Sequence, residues 1–135
     1  MNDSIAFALV HAGRRVEARL EEALAGVKLS GAKHAALSVL VAQDEPISLS
    51  ELAEKLTCVR SNITQLVDRL EKDGLVRRRA AADDRRSVLA ELTPAGQQAH
   101  AKGVRALAEA QRAIVRALKV REATSLQNAL SALTS

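Results

Sequence analysis

Three histidines, one cysteine and a set of clustered arginines are the side chains of this 135-residue chain whose types could do chemistry. His11, His34 and His100 lie in three separate stretches, and no two stand at i, i+4. A zinc site needs three or four converging ligands, so no metal site is expected. Cys58 is the only cysteine and cannot form a disulfide within the chain, which fits a reducing, cytoplasmic setting. It precedes a helical stretch, and a helix N-terminus lowers a thiol pKa, so Cys58 is a redox candidate. The plainer reading, which we prefer, is a small apolar residue filling a core. The six glycines are dispersed and make no phosphate-binding loop. No Ser, His and Asp set suggests itself, and no Cys–His pair is near in sequence. No enzyme and no cofactor is expected.

Recognition chemistry is better supported. Residues 60–73 read as a helix with Ile63, Leu66, Val67 and Leu70 on one face, at i, i+3, i+4 and i+7. The other face carries Ser61, Asn62, Gln65, Asp68 and Arg69. A helix fits a DNA major groove with its N-terminal half on the base edges. The side-chain amides of Asn62 and Gln65 pair a donor with an acceptor and can read adenine, while Arg60, Ser61, Thr64 and Arg69 can hold phosphates. Arg77, Arg78, Arg79, Arg85 and Arg86 face only Asp83 and Asp84 within residues 77–86. An arginine at a loop tip can enter a narrow minor groove. The bland alternative is a solvated helix face beside a surface loop.

The elements that must place these residues are legible. Residues 5–25 carry an apolar stripe of Ile5, Leu9, Ala12, Val16, Leu20 and Leu24, with Gly26 as the expected stop. Residues 31–43 give a second helix with Leu37, Leu40 and Val41 on one face, ended by Asp44-Glu45-Pro46. Ser48-Leu49-Ser50-Glu51 is a capping box opening a short helix with Leu49, Leu52, Ala53 and Leu56 inward. Thr57-Cys58-Val59 connects it to the helix at 60–73, and Gly74 with Leu75 forms the stop. Two short helices joined by about three residues make a helix-turn-helix. A strand at 75–79, a polar tip and an alternating strand at 87–92 follow, so the unit is a winged helix. Thr93 and Pro94 open a helix running to about Lys119, with Ala99, Val104, Leu107, Ile114, Val115 and Leu118 apolar. A last helix spans about Glu122 to Leu133. The expected architecture is one mainly α domain, 1–135, with a small β-hairpin wing.

Composition agrees. Hydrophobic residues make up 47% and charged residues 27%, which argues against disorder. No stretch is long and apolar enough for a membrane span. Met1-Asn2-Asp3-Ser4 has no basic n-region, so no signal peptide is expected. With one Phe and no Tyr or Trp, base-stacking RNA modules are disfavoured. The net charge of +4 is unevenly spread. Residues 44–93 carry nine basic against ten acidic residues, a net of −1, whereas residues 94–135 carry six against two.

The chain resembles the multiple antibiotic resistance regulator (MarR) family. The resemblance rests on Leu52-Ala53-Glu54-Lys55-Leu56, Leu66-Val67-Asp68-Arg69-Leu70-Glu71 and Asp73-Gly74-Leu75-Val76-Arg77-Arg78. It continues through Asp84-Arg85-Arg86-Ser87 to Leu92-Thr93-Pro94-Ala95-Gly96. The helix order matches over essentially the whole chain. The resemblance implies a homodimeric DNA-binding regulator, most often a repressor, whose helices at 1–30 and 94–135 interlock while a winged helix at 31–93 reads half of a near-palindrome. It implies DNA contact by the helix at 60–73 and by the wing at 77–90, with Arg86 at the tip and Asp84 orienting it. Many members respond to a small molecule, an oxidant or a metal. A cleft between dimer helices and winged helix would take His11, Arg14, Arg15 and His34 as candidate effector contacts. Two residues depart from the pattern. Thr57 stands where a helix-ending Gly is usual, and Val59 stands where Ser or another good N-cap is usual. Members often have Arg where this chain has Gln65. The net −1 of residues 44–93 keeps a second reading open, in which the helical dimer is a protein-interaction scaffold.

Overall fold

The computed structural model describes residues 3–58, 60–82 and 87–135, with Asp3, Arg60 and Ser61 described by backbone alone. Six helices and three strands follow in the order α1 (Asp3–Ala25), α2 (Gly31–Val41), β1 (Ile47–Ser48), α3 (Leu49–Lys55), α4 (Arg60–Lys72), β2 (Val76–Ala80), β3 (Val88–Leu92), α5 (Pro94–Arg116) and α6 (Val120–Thr134). The strands form an antiparallel sheet in the order β1-β3-β2. Ala90 of β3 lies between Ile47 on one side and Arg78 on the other. β1 is the one element the sequence reading lacks; two residues are too few to show a period of two.

The helix starts follow their capping residues. Ser30, Ser48 and Thr93 each accept a hydrogen bond from the backbone amide three residues on, at 3.2, 3.1 and 3.0 Å. Pro94 stands just inside α5, where its missing N–H leaves no intrahelical acceptor unserved. Three helix ends share one geometry. The amides of Leu29, Cys58 and Leu75 reach back to the carbonyls of Leu24, Ala53 and Leu70, and those of Lys28, Thr57 and Gly74 to Ala25, Glu54 and Glu71. These are paired 6→1 and 5→2 bonds, and the residue between must be left-handed. That residue is Lys28 (φ 63°), Thr57 (φ 52°) and Gly74 (φ 77°). α1 ends at Ala25, directly before Gly26 as expected, but the left-handed residue that closes it is Lys28 rather than the glycine. Burial of Leu29 and Leu24, the apolar contact typical of this ending, goes with that placement.

The core belongs to the winged helix. Leu37, Leu52, Ile63, Val67, Leu70 and Val76 are completely enclosed, and Ala36 and Ala90 fill the gaps between them. All four apolar residues expected on the inward face of α4 are buried. Val41, expected inward on α2, is exposed; Ala36 takes the buried place. The terminal helices differ. Among the described residues only Leu24 of α1 is buried, α6 has no buried residue, and those of α5 are Gly96 and Gly103. Ile5, Leu9, Val16, Val104, Val115, Leu126, Leu130 and Leu133 all stand exposed. An open apolar groove of about 430 Å³ runs among α1, α5 and α6, lined by Val16, Leu20, Ile114, Leu118, Leu126 and Leu130. Among the described residues no helix is long and apolar enough to cross a membrane.

Candidate nucleic-acid interface

α4 turns its buried face to the core and presents Asn62, Thr64, Gln65, Asp68 and Arg69 to solvent. The helix is anchored at both ends. At its start, the α3 ending at Thr57 and Cys58 sets the turn. At its end, the Thr93 hydroxyl donates to the Gly74 carbonyl at 2.7 Å, and the Thr93 amide donates to the Leu75 carbonyl at 3.1 Å. The Leu92-Thr93-Pro94 segment thus ties the start of α5 to the end of α4.

A third anchor was not visible in the sequence. The arginines of β2 alternate, as strand residues must. Arg77 and Arg79 point outward, and both approach Glu91 of β3 at 3.4 Å. Arg78 points the other way and lies across α4. Its guanidinium donates to Glu71 Oε1 at 2.8 Å, to Asp68 Oδ1 and to the Thr64 carbonyl at 3.3 Å. Its backbone amide donates to Glu71 Oε2 at 2.9 Å. That amide bond first, and then the guanidinium, hold the Glu71 carboxyl below the usual carboxylate range. Arg78 is therefore drawn away from the outward side of the basic 77–79 run; it fixes the wing to α4.

These pairs change the charge argument. Asp68 and Glu71 are held by Arg78, Glu91 by Arg77 and Arg79, and Asp73 by Lys33 of α2 at 2.7 Å. Four of the ten acidic residues of the segment are thus paired beside α4 or the wing. Asp44 and Glu45 lie at the far edge of the sheet, around a cavity bordered by Pro46 and Gln97.

Of the other expected site residues, Asp84, Arg85 and Arg86 lie outside the described residues, as do Val59 and the side chains of Arg60 and Ser61. Cys58 is exposed, with its thiol 3.7 Å from the Leu56 carbonyl. The core-filling role expected for it is therefore not the one it has, because position 58 follows the left-handed Thr57 and leaves the α3 packing face. The histidines do not gather. His11 and Arg15 border a shallow groove on α1 with Arg14 and Arg19. His34 is elsewhere, stacked on His100 of α5. Among the described residues no group of three or more His, Cys, Asp or Glu side chains could hold a metal ion.

A buried three-helix core, an exposed polar second helix and a hairpin clamped to it define a winged helix-turn-helix module. The family model of MarR regulators matches residues 34–88. A crystal structure of a probable transcriptional regulator from Pseudomonas aeruginosa is 31% identical, superposes with a TM-score of 0.77 and is matched over 98% of both chains. The HTH-type transcriptional repressor YetL of Bacillus subtilis is 38% identical over 79 residues, 58% of this chain and 47% of that one. The HTH-type transcriptional regulator PrsX of Escherichia coli is 33% identical over 88 residues, 64% of this chain and 53% of that one. The chain belongs to the MarR family of transcription regulators. It spans about half the length of the curated relatives it matches.

Proposed function

We propose that the protein is a DNA-binding transcription repressor that acts as a homodimer on a pseudo-palindromic operator. The observation that carries this is the exposed face of α4. It combines amide side chains suited to base edges, Asn62 and Gln65, with the cation Arg69, on a helix fixed by core, Thr93 and Arg78. Asn62 and Gln65 read bases, and Thr64, Arg69 and Arg77 hold phosphates, with Arg60 and Ser61 at the helix start. Arg85 and Arg86 enter the minor groove, oriented by Asp84. The repressor sense draws support from YetL, a repressor by name.

The dimer follows from the unburied apolar surface. Val16, Val115, Leu126, Leu130 and Leu133 are all more than a third exposed on α1, α5 and α6. Removing about 800 Å² per partner from water is typical of a stable interface. A second copy placing these stripes face to face would cover them, and a dimer reading two half-sites needs its two α4 helices about one DNA turn apart. A small-molecule effector acting on the helical arms completes the reading, with His11 and Arg15, which share one groove of α1, as candidate contacts; His34, stacked on His100, does not join them.

The scaffold alternative rests on the acidic balance of residues 44–93, which the ion pairs around α4 shift by only one charge, that of Lys33, because they also occupy Arg77, Arg78 and Arg79. Titration of sheared genomic duplex at about 50 and 200 mM salt separates the two. A DNA-binding dimer making several phosphate contacts loses at least tenfold in affinity over that range. No retention at either salt concentration would contradict the proposal.

A further inference from the structure

His34 on α2 and His100 on α5 stack with ring centroids 5.1 Å apart and planes 7° from parallel. His100 Nε2 lies 3.1 Å from the Ser38 hydroxyl, back on α2. His34 Nδ1 is buried and has no hydrogen-bond partner. Gly103, nearly one turn along α5 from His100, closes the site. A Cβ there would overlap Nδ1 of His34 and come within 2.8 Å of its Cε1 and 3.0 Å of Leu29 Cδ1. The pair therefore sits in the seam where α2, the first helix of the winged helix, meets α5, which leads away from it.

We propose that this stack is a pH-sensitive joint: neutral rings hold α2 against α5, and protonation of His34 opens the seam. In the neutral ring with its proton on Nε2, Nδ1 is an acceptor, and an empty contact is tolerated. Protonation puts an N–H there with no acceptor in reach and adds a charge beside a second imidazole. Burial first, and His100 second, already lower the His34 pKa from the ordinary 6.5.

The surrounding charges do not relieve the strain. Lys33 of α2 is bound to Asp73 beyond α4. Lys28 after α1 and Lys102 of α5 line the same cavity as Lys33 and add positive potential. Glu21 of α1 accepts from the Gly31 amide at 2.8 Å. Glu91 of β3 is held by Arg77 and Arg79. Glu51, Glu54 and Lys55 of α3 and Arg105 of α5 are exposed. Among the described residues no carboxylate pairs with either ring. Because the fold favours neutral His34, its stabilisation is complete above pH 6.5 and is lost as pH falls below that value.

The test is imidazole and amide NMR of the full chain from about pH 8 to pH 5, where histidine titrates. The expected result is a His34 midpoint below 6.5. With that midpoint, exchange protection at Ser38 and Gly103 should fall as His34 takes up its proton. His34→Gln, which keeps a polar planar group and cannot take a proton, should remove the linked loss. Protection that stays flat while His34 titrates, or a pH-linked loss that persists in His34→Gln, would overturn the joint. A consequence for DNA release rests on the regulator reading. Failure to hold sheared genomic duplex at every pH would count against that reading alone, and the NMR outcomes decide the joint.

Discussion

Thr57 holds a left-handed backbone at φ 52° although a β-branched side chain is among the least suited to it. Its hydroxyl bonds the Leu56 carbonyl at 2.7 Å, a local compensation of the kind short polar side chains make. The sequence already marked the position, because a glycine is usual there in relatives. Thr57→Gly should therefore stabilise the chain by about 0.5–1 kcal/mol, the left-handed penalty less the entropy of glycine. Urea unfolding at fixed protein concentration checks this; a loss of stability would mean that the hydroxyl contact outweighs the strain. On the exposed face of α4, Gln65→Ala should weaken operator binding several-fold and relax preference at one base position, about 1–3 kcal/mol for a bidentate contact. Arg86→Ala should weaken binding at least a few-fold with the dimer intact, and unchanged affinity would sink the minor-groove assignment.

At the scale of elements, the clamp from β2 to α4 is the feature with the largest consequence. Arg78 meets two carboxylates and a carbonyl of one helix, so its loss frees the wing and leaves Asp68 and Glu71 facing each other. Arg78→Met keeps much of the aliphatic stem and removes the donors. It should lower thermal stability modestly, by about 1 kcal/mol, and DNA affinity by more than that change explains. Unaltered affinity would show that the wing needs no fixing. The Glu71 part of the clamp is present above the ordinary carboxyl value of 4.5 and is lost as pH falls below it, because its folded pKa is depressed.

What the sequence disclosed of these elements, and what it withheld, divides by range. Ser48, Thr93-Pro94 and Gly74-Leu75 act within one helical turn and cap or stop their helices where the residues place them, although Ser48 caps α3 without the return bond from Glu51 that a capping box has. α1 ends before Gly26 as read, but its left-handed closing residue is Lys28, which depends on the burial of Leu24 and Leu29, a tertiary fact. β1 exists only because β3 returns beside it. The Arg78 clamp spans seven to fourteen residues, and the His34–His100 stack joins residues 66 apart in the numbering. Neither has a signature in local periodicity. The exposure of Cys58 has a local cause instead, the left-handed Thr57 directly before it, which turns the chain off the α3 packing face.

At the scale of the molecule, the winged helix is complete and the terminal helices are not. Leu130 of α6 is 41% exposed and lines the apolar groove against α1 and α5. Leu130→Asp should dissociate the dimer with little effect on the winged-helix core, which it does not touch. Sedimentation of the variant checks this, and a dimer of unchanged strength would place the interface elsewhere. Loss of the dimer should also cost most of the operator affinity, since two tethered heads bind far more tightly than one.

The most direct test of the account is selection of bound duplexes from sheared genomic DNA by the purified protein, at moderate salt and without added ligand. The account predicts enrichment of one near-palindrome with half-sites about one helical turn apart, as two α4 helices on a two-fold axis require. A folded, dimeric protein that enriches no sequence would contradict it.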